Sequence, residues 1–169
     1  MQIKDRVFIV TGASSGIGLA TAVALSGRGG KVALLARSTD ALEKLARQLP
    51  GSLPVTVDMT QFDRVREAVQ VVHAHYDRID DLVNNAGRSY AASVEEIDPA
   101  VFDEIFRLNV LGPIVAMQAV IPPMRTQRGG SIVNINSGTA FMTIPQYSVL
   151  LVFEASASWI QSHGTRGVG

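Results

Sequence analysis

The sequence contains no cysteine, and all of its lysines lie within the first 44 residues. Without cysteine the chain can form neither a disulfide framework nor a thiolate metal site. The histidines do not have the spacing of a zinc site, and they are His73, His75 and His163. We therefore expect no bound metal. The scarcity of lysine is important below, because lysine is a common partner of proton-donating side chains.

An excess of charge of either sign is also missing. Fifteen basic and fifteen acidic side chains cancel, and no block of like charge occurs. This balance favours neither nucleic acid nor a membrane surface as a partner. The first residues run directly into a strand pattern without the features of a secretory signal, so we expect a cytoplasmic protein. Residues 108–124 are uncharged, but their three prolines and Gly112 favour a buried core helix over a membrane span.

What the chain does contain is an alternation of strand and helix patterns. Short β-branched runs predict strands at 6–10, 32–36, 54–57, 82–84 and 131–136, with helix patterns between them. Such an alternation predicts an α/β protein with a parallel sheet covered by helices on both faces. Three helix starts have candidate caps, which are Asp40 with Glu43, Thr60, and Asp98 before Pro99.

A glycine-rich turn, TGASSGIG at residues 11–18, stands between the first strand and the first helix. Glycine permits a tight backbone turn, and a helix N-terminus offers free N–H groups and a positive potential to a phosphate. An ordinary glycine-rich turn is the alternative interpretation. We favour nucleotide binding because a strand and a helix flank the turn as the motif requires.

The end of the second strand indicates which dinucleotide is bound. A free ribose 2′-hydroxyl is typically met by an acid at this point, whereas a 2′-phosphate suits an arginine. The chain has Ala36 followed by Arg37, and the nearest acid is the candidate helix cap Asp40. We therefore predict NADP(H) rather than NAD(H), with NADPH preferred over NADH. The alternative is that Arg37 is a solvated surface charge.

Five motifs in order resemble those of the classical short-chain dehydrogenase/reductases. They are TGASSGIG, Asp58 after the third strand, NNAG at 84–87, Asn109 in NVLG, and Ser137 in NINSGTA. The resemblance covers residues 1–149 and implies an NADP-binding domain with a Rossmann-type doubly wound sheet of about five strands, incomplete at its C-terminal side. It also implies hydride transfer with a small-molecule alcohol or carbonyl substrate, in a family that is usually homo-oligomeric.

The resemblance also implies roles for individual residues. The turn would hold the pyrophosphate through Gly12, Ser14, Ser15, Gly16, Ile17 and Gly18. Asp58 and Met59 would border the adenine, and Asn85, Ala86 and Gly87 would line the nicotinamide ribose. Ser137 would hydrogen-bond the substrate carbonyl, and Asn109 would hold a water in the proton relay.

Asn109 has a physical argument of its own. Pro113 lies four residues later and has no N–H, so the carbonyl of Asn109 loses its helical partner and is free to bind a water. The alternative is a helix kink that serves packing only.

The motif that completes the family's site is a tyrosine followed four residues later by a lysine, and here the chain departs from the pattern. At the family's usual distance from Ser137 stand Leu150 and Glu154, and four residues after Tyr147 stands Leu151. A phenol with a pKa of about 10 needs a nearby cation to act at neutral pH, and a glutamate would oppose its ionisation. We therefore expect impaired turnover and treat 150–169 as a divergent tail. A shifted reading frame, a truncated copy and divergence all remain open, as do a non-catalytic NADP(H)-binding module and an unstable fragment.

Overall fold

The computed structural model describes residues 3–136. Five strands are present in this part of the chain: β1 (Val7–Thr11), β2 (Lys31–Ala36), β3 (Leu53–Thr56), β4 (Asp81–Asn84) and β5 (Ser131–Asn134). The α-helices between them are α1 (Gly16–Ser26), α2 (Thr39–Ala46), α3 (Phe62–Tyr76), α4 (Pro99–Phe106) and α5 (Gly112–Thr126). A 3-10 turn, Val94–Glu96, precedes α4, and a π-helical turn, Arg107–Leu111, joins α4 to α5.

The strands form one parallel sheet in the order β3-β2-β1-β4-β5. The central strand β1 pairs with β2 on one side, where Phe8 lies opposite Val32, and with β4 on the other, where Phe8 lies opposite Asp81. The chain order therefore reverses between β1 and β4. In open parallel sheets a crevice forms beyond the carboxyl ends of the strands at such a point. The Rossmann-type five-stranded sheet predicted from the sequence is confirmed.

Two apolar layers cover the sheet, one on each face. Alternate residues of β1 point to opposite sides, so Val7 and Ile9 pack with α3 and α5, whereas Val10 packs towards α2. Every residue of β1 is buried, which explains its uninterrupted run of apolar side chains ending at Thr11. The apolar layers thus bury both faces of the sheet, and polar groups lie at the ends of the strands.

Two of the three predicted helix caps are wrong. Helix α3 begins after Gln61, and Thr60 instead donates its N–H and its hydroxyl to Asp58 Oδ1, both at 2.9 Å. Helix α2 begins after Ser38, which leaves Asp40 inside the first turn. There its negative charge interacts favourably with the positive end of the helix dipole, but the side chain does not cap the helix. The third prediction is confirmed, since Asp98 accepts the N–H of Ala100 at 2.8 Å before Pro99.

The stretch Pro99–Thr126, made of α4, the π-helical turn and α5, is the one described helix that is long and apolar enough to cross a membrane. That test is weak by itself, because core helices pass it too. In this fold Val115, Ala116 and Val120 of α5 pack in the core against α3 and the sheet. These contacts are those of a core helix.

Candidate functional site

Loops from the carboxyl ends of the first four strands surround a cleft of about 700 Å³. This size is typical of a small-molecule or cofactor site. The lining residues are Gly12, Ser14, Ser15, Gly16, Ile17, Ala36, Arg37, Ser38, Val57, Asp58, Met59, Asn85, Ala86, Gly87 and Leu108. The structure thus brings every predicted cofactor residue except Gly18 to one cleft at the crevice between β1 and β4.

The glycine turn after β1 leaves backbone donors free at the start of α1. Gly12 has a φ of +66°, which L side chains rarely adopt. Ser15 occupies the N-cap position in an extended conformation and makes no side-chain capping bond. Its carbonyl accepts the N–H of Leu19 at 3.1 Å, the bond that starts the helix, so the N–H groups of the first turn have no helical partner. This arrangement suits an anionic group in the cleft.

Gly18 lies beneath the cleft rather than in its wall. It is buried, and a Cβ there would collide with the carbonyl oxygen of Gly12 and with Nδ2 of Asn85. Its contribution is the close approach of α1 to the turn and to the loop after β4. This corresponds to helix packing, one of the roles that glycines have in such turns.

Thr11 joins two loops of the site and was not among the residues singled out from the sequence. Its buried hydroxyl oxygen accepts the N–H groups of Asn85 at 2.9 Å and Ala86 at 3.0 Å. In return Asn85 Nδ2 donates to the carbonyl of Thr11 at 2.9 Å. The only sequence signal was a hydroxyl residue at the end of an apolar strand. The glycine turn and the NNAG loop are therefore held together by reciprocal hydrogen bonds.

Two groups of the cleft have free hydrogen-bonding capacity. Arg37 is exposed and forms no ion pair with any carboxylate of residues 3–136. Asp58 uses Oδ1 for Thr60, and within the same range its Oδ2 has no hydrogen-bond partner. Arg107 secures this loop by donating to the Thr60 carbonyl at 3.3 Å. The cleft thus has a free carboxylate oxygen at the loop after β3 and an exposed cation without an ion pair after β2.

Asn109 lies in the π-helical turn, where Gly112 donates its N–H to the carbonyl of Arg107, five residues back. Pro113 supplies no N–H to the carbonyl of Asn109, as expected from the sequence. The side chain of Asn109 has a separate role. Its Oδ1 accepts the N–H of Arg88 at 3.0 Å and its Nδ2 donates to the Arg88 carbonyl at 2.9 Å. Asn109 therefore clamps the segment that follows NNAG, and π-helical turns are frequent at functional sites.

The remaining predicted groups fall outside the described residues. Ser137, Tyr147, Leu150 and Glu154 all follow the last described position, so their geometry stays a prediction. Within residues 3–136 no cluster of three or more potential ligands is placed to hold a metal ion.

Comparisons with known proteins bear on the whole arrangement. The family model described as short chain dehydrogenase matches residues 6–150. An uncharacterised oxidoreductase of Staphylococcus saprophyticus is 35% identical over 151 residues, which are 88% of this chain and 61% of that protein. A 3-oxoacyl-(acyl-carrier-protein) reductase of Thermotoga maritima is 37% identical over 141 residues, which are 81% of this chain and 57% of that protein.

A solved structure gives the same result for the fold. The crystal structure of a metagenomic short-chain oxidoreductase in complex with NADP has a TM-score of 0.91 and 26% identity, covering 97% of this chain and 76% of that one. The chain spans about three fifths of the length of the two curated relatives. Because the family model matches most of its residues, the chain belongs to the short-chain dehydrogenase family.

Proposed function

We propose that this chain binds NADP(H) in the cleft at the carboxyl edge and belongs to an oxidoreductase that exchanges hydride with a small carbonyl or alcohol substrate. The observation that supports this most directly is the convergence of three separate loops, those at Gly12, Asp58 and Asn85, on one cleft. In the proposed complex the turn after β1 holds the pyrophosphate. Asp58 and Met59 border the adenine, and Asn85, Ala86 and Gly87 line the nicotinamide ribose.

The residues of the cleft fit such a cofactor in size and in charge. The free N–H groups at the start of α1 suit a pyrophosphate. The free Oδ2 of Asp58 is an acceptor for an exocyclic amine. A Cβ at Gly12 would meet Nδ2 of Asn85 at 2.9 Å and the backbone of Ala86 at 3.0 Å, so glycine lets the turn pack closely against the loop after β4. All three features come from residues that are fixed by the fold.

The preference for NADP(H) over NAD(H) rests on Arg37. The segment after β2 presents this cation to the cleft, and the cleft-lining residues nearest to it in the chain, Ala36 and Ser38, carry no charge. A guanidinium binds phosphate in bidentate fashion, whereas a ribose hydroxyl is better met by a carboxylate. The related metagenomic structure contains NADP, which supports the same choice.

Ser137 and Asn109 are the proposed residues of the reaction site. A bound nicotinamide supplies or accepts the hydride. In this proposal Ser137 orients the carbonyl by a hydrogen bond, and Asn109 fixes the segment after NNAG through the backbone of Arg88. We propose weak turnover for this chain, because Leu150 and Glu154 stand where a tyrosine and a lysine are expected. Binding would then exceed catalysis, as in the alternative of a non-catalytic NADP(H)-binding module.

Cofactor binding is tested by calorimetry and by thermal unfolding. NADPH at a hundred times its dissociation constant should stabilise the fold by about 2.7 kcal/mol. Arg37→Ala should weaken NADPH by roughly ten- to hundredfold and leave NADH nearly unchanged. Arg47→Ala, an exposed arginine outside the cleft, is the control. Equal losses for both cofactors would show that Arg37 does not set the choice, and no stabilisation by millimolar NADPH would remove the proposal.

Turnover is tested separately by NADPH oxidation with a panel of ketones and aldehydes. We expect a rate near background, since general acid catalysis usually contributes about 10²–10⁴-fold. A measurable rate that Tyr147→Phe abolishes, with NADPH affinity unchanged, would contradict the impaired interpretation and make Tyr147 the donor. The double variant Leu150→Tyr and Glu154→Lys introduces the tyrosine and the lysine of the family pattern. A gain of activity in this variant would support their placement at positions 150 and 154.

A further inference from the structure

A second groove, of about 420 Å³, adjoins the cofactor cleft between β3 and α3. The groove and the cleft share three residues, Arg37, Val57 and Asp58, so they are continuous at the carboxyl edge. The groove is otherwise lined by Val55, Thr56, Arg64, Glu67, Ala68 and Val71. Its walls therefore bring a second arginine, from the first turn of α3, to the space that Arg37 borders.

Two arginines border this groove and are the groups that an anion in it would contact. Arg37 follows β2 and Arg64 lies in the first turn of α3, and Arg37 has no carboxylate partner within residues 3–136. Asp58 and Glu67 line the same groove, so Arg64 becomes available to an anion only when it leaves Glu67. A phosphate monoester carries about two negative charges at neutral pH, which one arginine alone cannot balance. Two arginines would balance it.

Arg64 can turn to such an anion at little cost. Its sole ion-pair partner in the described chain is Glu67, at 2.8 Å and one helical turn away, and the two side chains are 73% and 55% exposed. Exposed pairs of this kind contribute little to stability. Glu67 also lines the groove, so it competes with an anion for Arg64 and repels it.

Arg66 on the same helix provides an internal comparison. It pairs with Asp63 at 2.9 Å through the same spacing of three residues. Its side chain, however, borders a different groove, between α3 and α5. The two arginines thus match in residue type, helix and ion pairing, and they differ in which groove they face.

We propose that Arg64 is a second specificity-determining residue for the ribose 2′-phosphate, acting together with Arg37. This inference rests on the proposed binding of NADP(H). Arg37 contacts the phosphate from the β2 side, and Arg64 closes the groove from the α3 side after it leaves Glu67. The discrimination between NADP(H) and NAD(H) is then shared by the segment after β2 and the first turn of α3, and Glu67 limits it.

The test uses two fragments of the cofactor, 2′,5′-ADP and 5′-AMP, which differ in the 2′-phosphate. Binding to the full chain is measured by calorimetry at low salt. Arg64→Gln should weaken 2′,5′-ADP by roughly five- to twentyfold, the range of one charge-assisted contact at an exposed site, and should leave 5′-AMP unchanged. Arg66→Gln should change neither ligand. Glu67→Gln should strengthen 2′,5′-ADP by roughly two- to threefold, since it removes a competitor.

The outcomes separate this inference from the proposed function. If 2′,5′-ADP binds and loses affinity in Arg37→Ala but not in Arg64→Gln, NADP(H) binding stands and the role of Arg64 is wrong. An equal loss for both fragments in Arg64→Gln would also overturn the proposal, because the contact would then not be with the 2′-phosphate. If the unmodified chain binds neither fragment, the proposed function itself fails and the role of Arg64 fails with it.

Discussion

The parallel sheet has an amino edge, where its strands begin, and a carboxyl edge, where they end. Polar side chains are paired with one another at the first and are partly unpaired at the second. At the amino edge the charged side chains satisfy one another. Arg6 forms a bidentate pair with Asp81 at 2.9 and 3.0 Å, and Arg78 forms one with Asp80 at 2.9 and 2.6 Å. At the carboxyl edge, Arg37 and an oxygen of Asp58 have no such partner within residues 3–136.

At the amino edge, hydrogen bonds stabilise the ionised form of a buried carboxylate, Asp80. Asp80 is 3% exposed, and its burial opposes ionisation. Hydrogen bonds from the Arg78 side chain and from the N–H of Val7 outweigh that burial and hold the pKa of Asp80 below its usual value. The hydrogen bond to Asp81 likewise raises the pKa of Arg6. These groups therefore belong to folding rather than to ligand binding.

The carboxyl edge shows the reverse arrangement. Its loops are fixed through buried contacts, such as Thr11 to Asn85, while the groups that face the cleft stay free. Even Asn84, at the end of β4, pairs its Nδ2 with Asn134 at 2.9 Å and leaves a buried Oδ1 without a partner in the described chain. The comparison indicates that charged side chains pair with one another at the amino edge, whereas Arg37 and Asp58 keep unused binding capacity at the carboxyl edge.

The largest effect on this comparison is expected from Gly18→Ala. The added Cβ would strike backbone and side-chain atoms of the turn and of Asn85, and overpacking of this kind costs about 3 kcal/mol at the upper end. NADPH affinity should fall at the same time, because the turn must shift. Gly129→Ala, whose Cβ meets nothing within 4 Å, is the control. Chemical denaturation measures the free energy of unfolding of both variants, and calorimetry measures their NADPH affinity. Equal values for Gly18→Ala and Gly129→Ala would contradict the packing role of Gly18.

Asp80→Ala should affect the amino edge alone. It leaves the N–H of Val7 buried without its acceptor and Arg78 without its partner, which should lower the free energy of unfolding by about 2 kcal/mol. NADPH affinity per folded molecule should not change. A loss of affinity comparable with that of Arg37→Ala would show that the two edges are coupled.

The same residue predicts an acid dependence. A carboxyl with a lowered folded-state pKa stabilises the fold above its unfolded pKa, about 4, and this contribution is lost as the pH falls through the folded value. Between pH 5 and about pH 2 the free energy of unfolding should therefore fall more steeply with decreasing pH for the unmodified chain than for Asp80→Asn. Parallel curves for the two proteins would rule out this linkage.

Thr11→Val should have a smaller effect that involves both stability and binding. It preserves the shape of the side chain and removes the acceptor of two partly buried N–H groups, at a cost of about 1–2 kcal/mol. Thr11→Ser, which keeps the hydroxyl, should recover most of the loss. If the serine variant were as unstable as the valine variant, packing of the methyl group would be the main contribution of Thr11.

The smallest effect concerns Tyr76, at the end of α3. Burial raises the pKa of its phenol to about 12, and the hydroxyl donates to the carbonyl of Gly51 at 2.7 Å. A raised pKa favours the neutral phenol in the folded state, so its stabilisation is complete below about pH 10 and is lost as the pH rises towards 12. In Tyr76→Phe the free energy of unfolding should therefore fall less between about pH 10 and pH 12 than in the unmodified chain. The pKa of the phenol can be measured by spectrophotometric titration, and a value of about 10 would contradict the raised pKa.

Much of the fold was predictable because apolar runs and glycine positions are local signals. The strand predicted at 82–84 is Asp81–Asn84, and that predicted at 32–36 is Lys31–Ala36. Caps were less predictable. Thr60 has the residue type of a cap, but Asp58 binds both its N–H and its hydroxyl, and the helix starts after Gln61. A short polar side chain has several local partners of similar energy, and tertiary contacts select among them.

By itself, the sequence determined the alternation of strands and helices, the glycine turn and the order of the family motifs. These features depend on residues close together in the chain, where backbone conformation and burial follow from residue type. Only the tertiary structure decided that Thr11 binds the loop of Asn85 and that Arg64 shares a groove with Arg37 but Arg66 does not. Such relations join loops that are far apart in sequence, and they exist only once the parallel strands set those loops side by side.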